Sequence, residues 1–123
     1  MKKNLSITAF LGFLSIVLGA FGAHSLKDSL EPEALNSFET GVRYMMYHVI
    51  ALLFVNTYTG FTLKNKNTIS YLFFLGILFF SGSIFAITFG IPAKTIWFIT
   101  PIGGLFFIFG WLNMFYFFLK SNK

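Results

Sequence analysis

Two histidines and one nearby carboxylate are the residues of this chain whose types best suit metal binding or acid–base chemistry. His24 and His48 could ligate a metal, with Glu39 as a third ligand or as a proton acceptor. Structural zinc sites usually have four protein ligands and catalytic sites three, and the chain contains no cysteine. Because no thiolate or buried carboxylate accompanies the histidines, we expect no metal, no other cofactor and no catalytic centre.

These residues belong to a chain that is far more apolar than an average soluble domain. Of its 123 residues, 56% are hydrophobic and 11% are charged. The charges leave four uncharged runs, each near or above the roughly 20 residues that cross a bilayer core. We predict an all-α membrane protein whose single domain, residues 1–123, forms an up-down-up-down bundle of four transmembrane helices. The predicted spans are residues 5–24, 43–62, 69–90 and 96–119.

Basic residues are distributed unequally between the two sides that these spans define. One side carries Lys2, Lys3, Lys64, Lys66, Lys120 and Lys123, and the other carries Lys27, Arg43 and Lys94. Since lysine and arginine are enriched in cytoplasmic loops, both termini are predicted to be cytoplasmic. The basic residues are scattered rather than clustered on one face, so the net charge of +5 does not indicate nucleic-acid binding.

The first span begins like a secretory signal, with basic residues ahead of an apolar run that ends in small residues. Ser15, Gly19 and Ala23 recur every four residues within it. This spacing places them on one helix face that suits packing against another span. We therefore expect the segment to be retained as a membrane helix.

The second helix is predicted to begin well before its span, as an amphipathic segment on the outer side of the membrane. Pro32 suits the first turn of a helix, and Glu33 complements the helix dipole at that end. Apolar residues then recur at helical spacing. Glu39 and Arg43 stand four apart and could pair near the interface, which would stabilise the helix by only about 0.3–0.5 kcal/mol.

Seven polar residues lie in the outer third of the proposed spans. They are His24, Arg43, Tyr44, His48, Ser81, Ser83 and Thr100. An unpartnered polar group that faces hydrocarbon is costly, so we expect these side chains to face one another. Two interpretations remain open: a hydrogen-bonded clamp that joins four helices, or a small binding or permeation site that opens outward.

The fourth span contains a proline beside a pair of glycines. Pro101 lacks an amide hydrogen and frees the carbonyl of Trp97, so we expect a kink or a local opening of the helix. Such breaks line the sites of some transporters and also occur in purely structural spans. Glycines elsewhere permit close helix approach. The predicted break and packing positions are Gly19, Gly22, Pro101, Gly103, Gly104 and Gly110.

Four motifs, spread in order over nearly the whole chain, carry a resemblance to a known family. They are Gly19-Ala20-Phe21-Gly22-Ala23-His24, Tyr44-Met45-Met46-Tyr47-His48-Val49-Ile50-Ala51-Leu52, Phe80-Ser81-Gly82-Ser83, and Thr100-Pro101-Ile102-Gly103-Gly104 followed by Gly110-Trp111. The chain resembles domain-of-unknown-function family 423, also called uncharacterised protein family 0382, of small bacterial inner-membrane proteins with an animal relative. The resemblance implies a multi-pass protein of the bacterial plasma membrane and brings no established activity, substrate or cofactor. Ser25 stands where many relatives have glycine, which affects only the expected local turn.

Three functional hypotheses follow, of which we favour the first. It is a structural or accessory membrane protein that stabilises a partner complex or the lipid environment. The second is a small transporter or channel subunit, which would require oligomerisation because four helices enclose little volume. The third is an enzyme or cofactor binder that uses His24 and His48. The expected partners are the lipid bilayer and either a second copy of the chain or another membrane protein.

Overall fold

The structure of the protein is a computed structural model that describes residues 2–121, with side chains described up to Lys120. Its elements in chain order are α1 (Lys2–Phe21), the π-helix π1 (Gly22–Leu26), α2 (Pro32–Thr57), α3 (Leu63–Gly76), the π-helix π2 (Ile77–Ser81), α4 (Gly82–Thr88), α5 (Ala93–Ile96) and α6 (Ile99–Ser121). The helix α1 runs directly into π1, and α3, π2 and α4 are also continuous. The described residues are therefore almost entirely helical and contain no strand.

Local sequence signals explain where α2 and α3 begin. α2 starts at Pro32, whose missing amide hydrogen falls in the first turn, and Glu33 lies beside the positive end of the helix dipole. This start confirms the predicted extension of the helix ahead of residue 43. At the start of α3, the Thr62 side chain accepts a hydrogen bond from the backbone nitrogen of Asn65 at 3.1 Å.

The last helical segment is interrupted just ahead of Pro101, in agreement with the predicted opening. α5 ends at Ile96, Trp97 and Phe98 form a turn, and α6 begins at the next residue. Pro101 thus occupies the first turn of α6, where a missing amide hydrogen removes no helical hydrogen bond. Gly90, with a φ of 122°, lies in the connection between α4 and α5, where the chain must turn.

The helices α2 and α3 lie at the centre of the bundle. α1 packs along α2, α6 packs along α3 and π2, and α2 also contacts π2 and α4. Leu52 and Val55 of α2 and Ile69 and Phe73 of α3 are fully buried in the core. Because lipid is as apolar as these side chains, they stabilise the bundle through close packing rather than through transfer out of water.

Contacts between helix ends define the two ends of the bundle. The basic end is the one that carries Lys2, Lys3, Lys64 and Lys66. There, Asn4 Nδ2 donates a hydrogen bond to Asn67 Oδ1 at 2.9 Å, and the ring of Phe118 lies 4.9 Å from that of Phe61. The beginning of α1, the α2–α3 connection and the last turns of α6 therefore share the basic end. The opposite end holds the α1–α2 and α4–α5 connections, where Phe21 contacts Phe89.

The surface of the bundle is apolar over much of its length. Large exposed side chains include Phe10, Phe13, Ile16, Ile50, Leu78, Ile108 and Phe115. Within residues 2–121, three helical stretches are long and apolar enough to cross a membrane: Lys2–Leu26, Leu63–Thr88 and Ile99–Lys120. The helix α2 is as long, but charged and polar residues interrupt its apolar sequence, so it falls outside this set. Three of the four proposed spans thus overlap helices whose length and composition suit a membrane crossing.

Candidate functional site

His48 of α2, a residue that is only 4% exposed, lies between two helices and uses both nitrogens of its ring. Its Nδ1 lies 2.7 Å from the carbonyl oxygen of Tyr44, and Trp111 Nε1 of α6 donates a hydrogen bond to its Nε2 at 3.0 Å. A carbonyl oxygen only accepts and an indole N–H only donates, so Nδ1 carries the proton and Nε2 does not. The neutral imidazole therefore bridges α2 and α6, and both of its nitrogens are engaged in hydrogen bonds.

Aromatic rings enclose this imidazole. The ring of Phe107 stacks on it with a centroid distance of 3.7 Å and an interplanar angle of 8°, while Phe73 meets it edge-on at 4.9 Å. Phe73 also contacts Trp111 at 5.4 Å. We call the four rings of His48, Phe73, Phe107 and Trp111 the ring layer. It fills the space among α2, α3 and α6 about midway along the bundle.

Two glycines allow α3 and α6 to seat the phenylalanine rings of this layer. A Cβ atom on Gly76 of α3 would lie 2.3 Å from Phe107 Cδ1. Reciprocally, a Cβ atom on Gly110 of α6 would lie 2.4 Å from Phe73 Cε1. Each helix thus places a phenylalanine ring in the gap left by a glycine of the other, and this exchange sets the register between the two helices.

The remaining predicted packing glycines fall into two groups. A Cβ on Gly103 would lie 2.2 Å from a backbone nitrogen of π2, and one on Gly22 would lie 2.7 Å from a phenylalanine ring of α2. A Cβ on Gly19 or Gly104 would come no closer than 3.5 Å or 4.0 Å, respectively, to any neighbour, which is ordinary contact. A Cβ would thus require a backbone shift at Gly103 and a shift of the Phe38 ring at Gly22, whereas the structure leaves room for one at Gly19 and Gly104.

Three of the predicted polar residues form hydroxyl contacts between helices. Ser81 Oγ of π2 donates a hydrogen bond to the carbonyl oxygen of Gly41 on α2 at 2.6 Å. The hydroxyls of Ser83 and Thr100 are hydrogen-bonded to each other, which joins α4 to α6. Ser83 Oγ also lies within hydrogen-bond distance, 3.0 Å, of the Phe80 carbonyl oxygen. These contacts join π2 to α2 and α4 to α6, near the end of the bundle opposite the basic end.

His24, Arg43 and Tyr44 are exposed residues that take no side-chain part in those hydroxyl contacts. Arg43 Nη2 donates a hydrogen bond to Thr40 Oγ1 of its own helix at 2.9 Å. Among residues 2–121 no carboxylate pairs with this guanidinium, so the predicted pair with Glu39 does not form. The structure therefore distributes the seven predicted polar residues among separate contacts and exposed positions.

A second set of polar contacts, at the basic end, was missed by the sequence analysis. Asn4 Nδ2 of α1 donates to Asn56 Oδ1 of α2 at 3.1 Å and to Asn67 Oδ1 of α3 at 2.9 Å. Asn56 Nδ2 donates in turn to Ser70 Oγ at 2.8 Å and to the carbonyl oxygen of Leu52 at 3.0 Å. We call Asn4, Asn56, Asn67 and Ser70 the amide network. It connects three helices through side chains alone.

The positions of Asn4 and Asn56 in the sequence explain why the amide network was not predicted. Both lie close to the ends of apolar runs, where an asparagine is expected to face lipid headgroups or water. In the structure these two residues are only 3% and 1% exposed. A carboxamide within a membrane helix commonly bonds across helices, so their presence in apolar runs was the available signal.

The acidic residues and histidines of residues 2–121 lie apart from one another. In this part of the chain, no three His, Cys, Asp or Glu side chains lie together in a way that could hold a metal ion. Every buried side-chain nitrogen or oxygen described has a hydrogen-bond partner. The interior polar groups thus satisfy one another, as an apolar solvent demands.

An all-helical bundle with apolar helices long enough to span a bilayer, and with its buried polar groups paired internally, is a multi-pass membrane protein. The sequence model of the family described as "Protein of unknown function (DUF423)" matches residues 18–104. The chain belongs to this family. The resemblance predicted from the four motifs is thereby confirmed.

Relatives match the chain over almost all of its length. A UPF0382 membrane protein of Haemophilus influenzae is 40% identical over 122 residues, which cover 99% of this chain and 98% of its own. UPF0382 membrane proteins of Staphylococcus haemolyticus and Staphylococcus saprophyticus are each 39% identical over 114 residues, or 93% of this chain. These matches cover 93% and 94% of the two staphylococcal chains, respectively. No solved structure matches the chain.

Proposed function

We propose that the chain crosses the bacterial plasma membrane four times, with α2 as the additional crossing. Two contacts at different depths support this role of α2. Gly41 accepts the hydrogen bond of Ser81 towards one end, and Asn56 bonds to Asn4 at the other. The two positions on α2 are separated by about 22 Å along the helix axis, at about 1.5 Å per residue. A helix that packs between two membrane spans over this distance lies in the same apolar layer as they do.

We further propose that both termini lie in the cytoplasm. The basic end carries the beginning of α1, the α2–α3 connection and the last turns of α6, and most of the lysines belong to these segments. Lysine and arginine mark cytoplasmic connections, so this end faces the cytoplasm.

Reporter fusions test the topology. A reporter that works only in the cytoplasm should be active after Lys123, and one that works only outside the membrane should be active when inserted after Asp28. With three spans the termini would lie on opposite sides, so an external Lys123 fusion would overturn the proposal.

For activity, we propose a structural or accessory role in a membrane assembly rather than catalysis. The ring layer is the observation that carries this proposal. Along α2, His48 lies between Gly41 and Asn56, and along α3 and π2, Phe73 lies between Ser70 and Ser81. Packed rings therefore separate the hydroxyl contacts from the amide network.

This separation argues against transport through a single bundle. An ion or polar solute would have to cross the ring layer, where the polar atoms of the histidine and the tryptophan already bind each other. A transporter or channel subunit, the alternative function, would need a polar path between several copies. The expected partner of the proposed accessory protein is a second copy or another membrane protein.

Two measurements on gently solubilised full-length protein test this role. Native mass spectrometry should detect the chain in a stoichiometric complex with a membrane-protein partner or with itself. Reconstituted vesicles should show no proton or potassium flux above that of lipid vesicles. A flux that disappears in a Ser83→Ala, Thr100→Val variant of unchanged stability would overturn the accessory role and support the transporter.

A further inference from the structure

We propose that a phospholipid binds between α1 and α2, with its phosphate on Arg43 and one acyl chain in the groove beside it. The groove has a volume of about 430 Å³ and is open at the surface of the bundle, where Ile16 and Tyr47 of its lining are exposed. Its lining includes Ile16, Gly19, Ala20, Val42, Met46 and Arg43. We call it the Arg43 groove. The proposal goes beyond the accessory role and holds for either orientation of the bundle in the membrane.

The small residues of α1 keep the groove open. A Cβ on Gly19 would lie 3.5 Å from Val42 Cγ1, an ordinary contact, so the packing of α1 on α2 does not require a glycine there. Ala20 beside it is exposed, and its small side chain leaves space on the α1 side of the groove. The space left by these two residues is apolar, and it matches the chemistry of an acyl chain.

The charged end of the groove suits a phosphate. The hydrogen bond to Thr40 engages one N–H of the Arg43 guanidinium, which carries five N–H donors in total. Within residues 2–121 no carboxylate neutralises this charge, although Glu39 lies only one turn earlier on α2. Arginine binds phosphate through paired N–H donors, so the uncommitted donors form a site for such a group.

The direction of the Arg43 side chain places that site at the right depth. Thr40 precedes Arg43 on α2, so the guanidinium points along the helix toward the end opposite the basic end. Long basic side chains in membrane helices reach in this way from the hydrocarbon to the headgroups. A phosphate joined to an acyl chain fits both parts of the groove at once, and that combination defines a phospholipid.

Native mass spectrometry of the delipidated full-length protein in detergent tests the proposal. The probes are phosphatidylglycerol, a diacylglycerol with the same chains, and inorganic phosphate. We expect one phosphatidylglycerol per chain to bind more tightly than the diacylglycerol. Arg43→Gln should weaken phosphatidylglycerol binding about fivefold, the effect of one basic residue near an anionic surface. Arg43→Lys should restore part of it, and Ala20→Leu should weaken binding by filling the groove.

Two matched variants control for nonspecific effects. Lys27→Gln removes another cation near the same end, and Ala9→Leu adds the same bulk to α1 about three turns before Ala20, outside the groove lining. Both should bind phosphatidylglycerol like the wild type, and circular dichroism should find all variants equally helical. Equal binding of the two lipids, or an Arg43→Gln variant that binds normally, would overturn the proposal. Displacement of the lipid by millimolar inorganic phosphate would also overturn it, in favour of a free-phosphate site.

Discussion

Trp111 Nε1 donates a hydrogen bond to His48 Nε2 at 3.0 Å and so fixes α6 to α2 in the middle of the bundle. A second proton on the imidazole would set two donors against each other and break this bond. The partner of His48 is the indole of Trp111, which is not among the seven polar residues that were predicted to face one another. The contact suits a clamp between helices, and it supports the structural interpretation of this histidine.

Replacing His48 should destabilise the bundle through the loss of this bond. In His48→Leu the indole N–H of Trp111 has no acceptor, and we expect the free energy of unfolding to fall by about 0.6–2 kcal/mol. His48→Gln should recover part of the loss, because a carboxamide offers both a donor and an acceptor. Unfolding in detergent, followed by circular dichroism, should rank wild type above Gln above Leu.

Trp111→Phe provides the matched test of the same contact, since it removes the donor and keeps an aromatic ring. The loss of unfolding free energy in Trp111→Phe should not add to that of His48→Leu in the double variant, because both changes remove the same hydrogen bond. Fully additive losses would mean that the two side chains do not stabilise each other.

The adjacent glycines of α6 should respond differently to the same substitution. A Cβ on Gly103 would meet the backbone of π2 at 2.2 Å, whereas one on Gly104 would meet nothing closer than 4.0 Å. Gly103→Ala should therefore lower the free energy of unfolding by about 1–3 kcal/mol. Gly104→Ala should be neutral or stabilising, because alanine favours the helix by about 1 kcal/mol over glycine. Equal losses in the two variants would contradict the close approach of α6 to π2.

Breaking the amide network should loosen the basic end. Asn56→Leu removes the interhelical hydrogen bonds of Asn56 to Asn4 and to Ser70, while the bond between Asn4 and Asn67 remains, and we expect the free energy of unfolding to fall by about 1–2 kcal/mol. The control is Asn113→Leu, since Asn113 Nδ2 donates at 2.8 Å to a carbonyl of its own helix. Thermal unfolding in detergent should be unchanged in this control. An Asn56→Leu variant that unfolds like the wild type would exclude a stabilising role for the network.

Purified protein should contain no stoichiometric transition metal or haem. Both ring nitrogens of His48 already have hydrogen-bond partners, which leaves His24 without a second imidazole ligand. Elemental analysis and an absorption spectrum of the full-length protein provide the measurement. One metal per chain that is lost when His24 and His48 are both replaced would refute this prediction.

Particular residues illustrate how far the sequence could predict the candidate site. Pro32 predicted the start of α2 and Pro101 predicted an opening in the last helical segment, and both features are present in the structure. They could be predicted because a missing amide hydrogen acts within one helical turn. The contact between Ser83 and Thr100 also agrees with the expectation that outer polar groups face each other. The pairing of His48 with Trp111 could not be predicted, because it depends on how two distant helices are rotated about their axes.

By itself, the sequence determined that this chain forms apolar helices long enough for a bilayer, because run length and charge placement are local properties of the chain. Only the tertiary structure decided which faces of those helices turn inward. In lipid, core-facing and lipid-facing side chains are equally apolar, so the sequence carries little periodic signal for the buried face. The buried faces are set by contacts between residues that are distant in the sequence. Phe73 packs against Gly110, Phe107 packs against Gly76, and the buried carboxamides form hydrogen bonds with side chains of other helices.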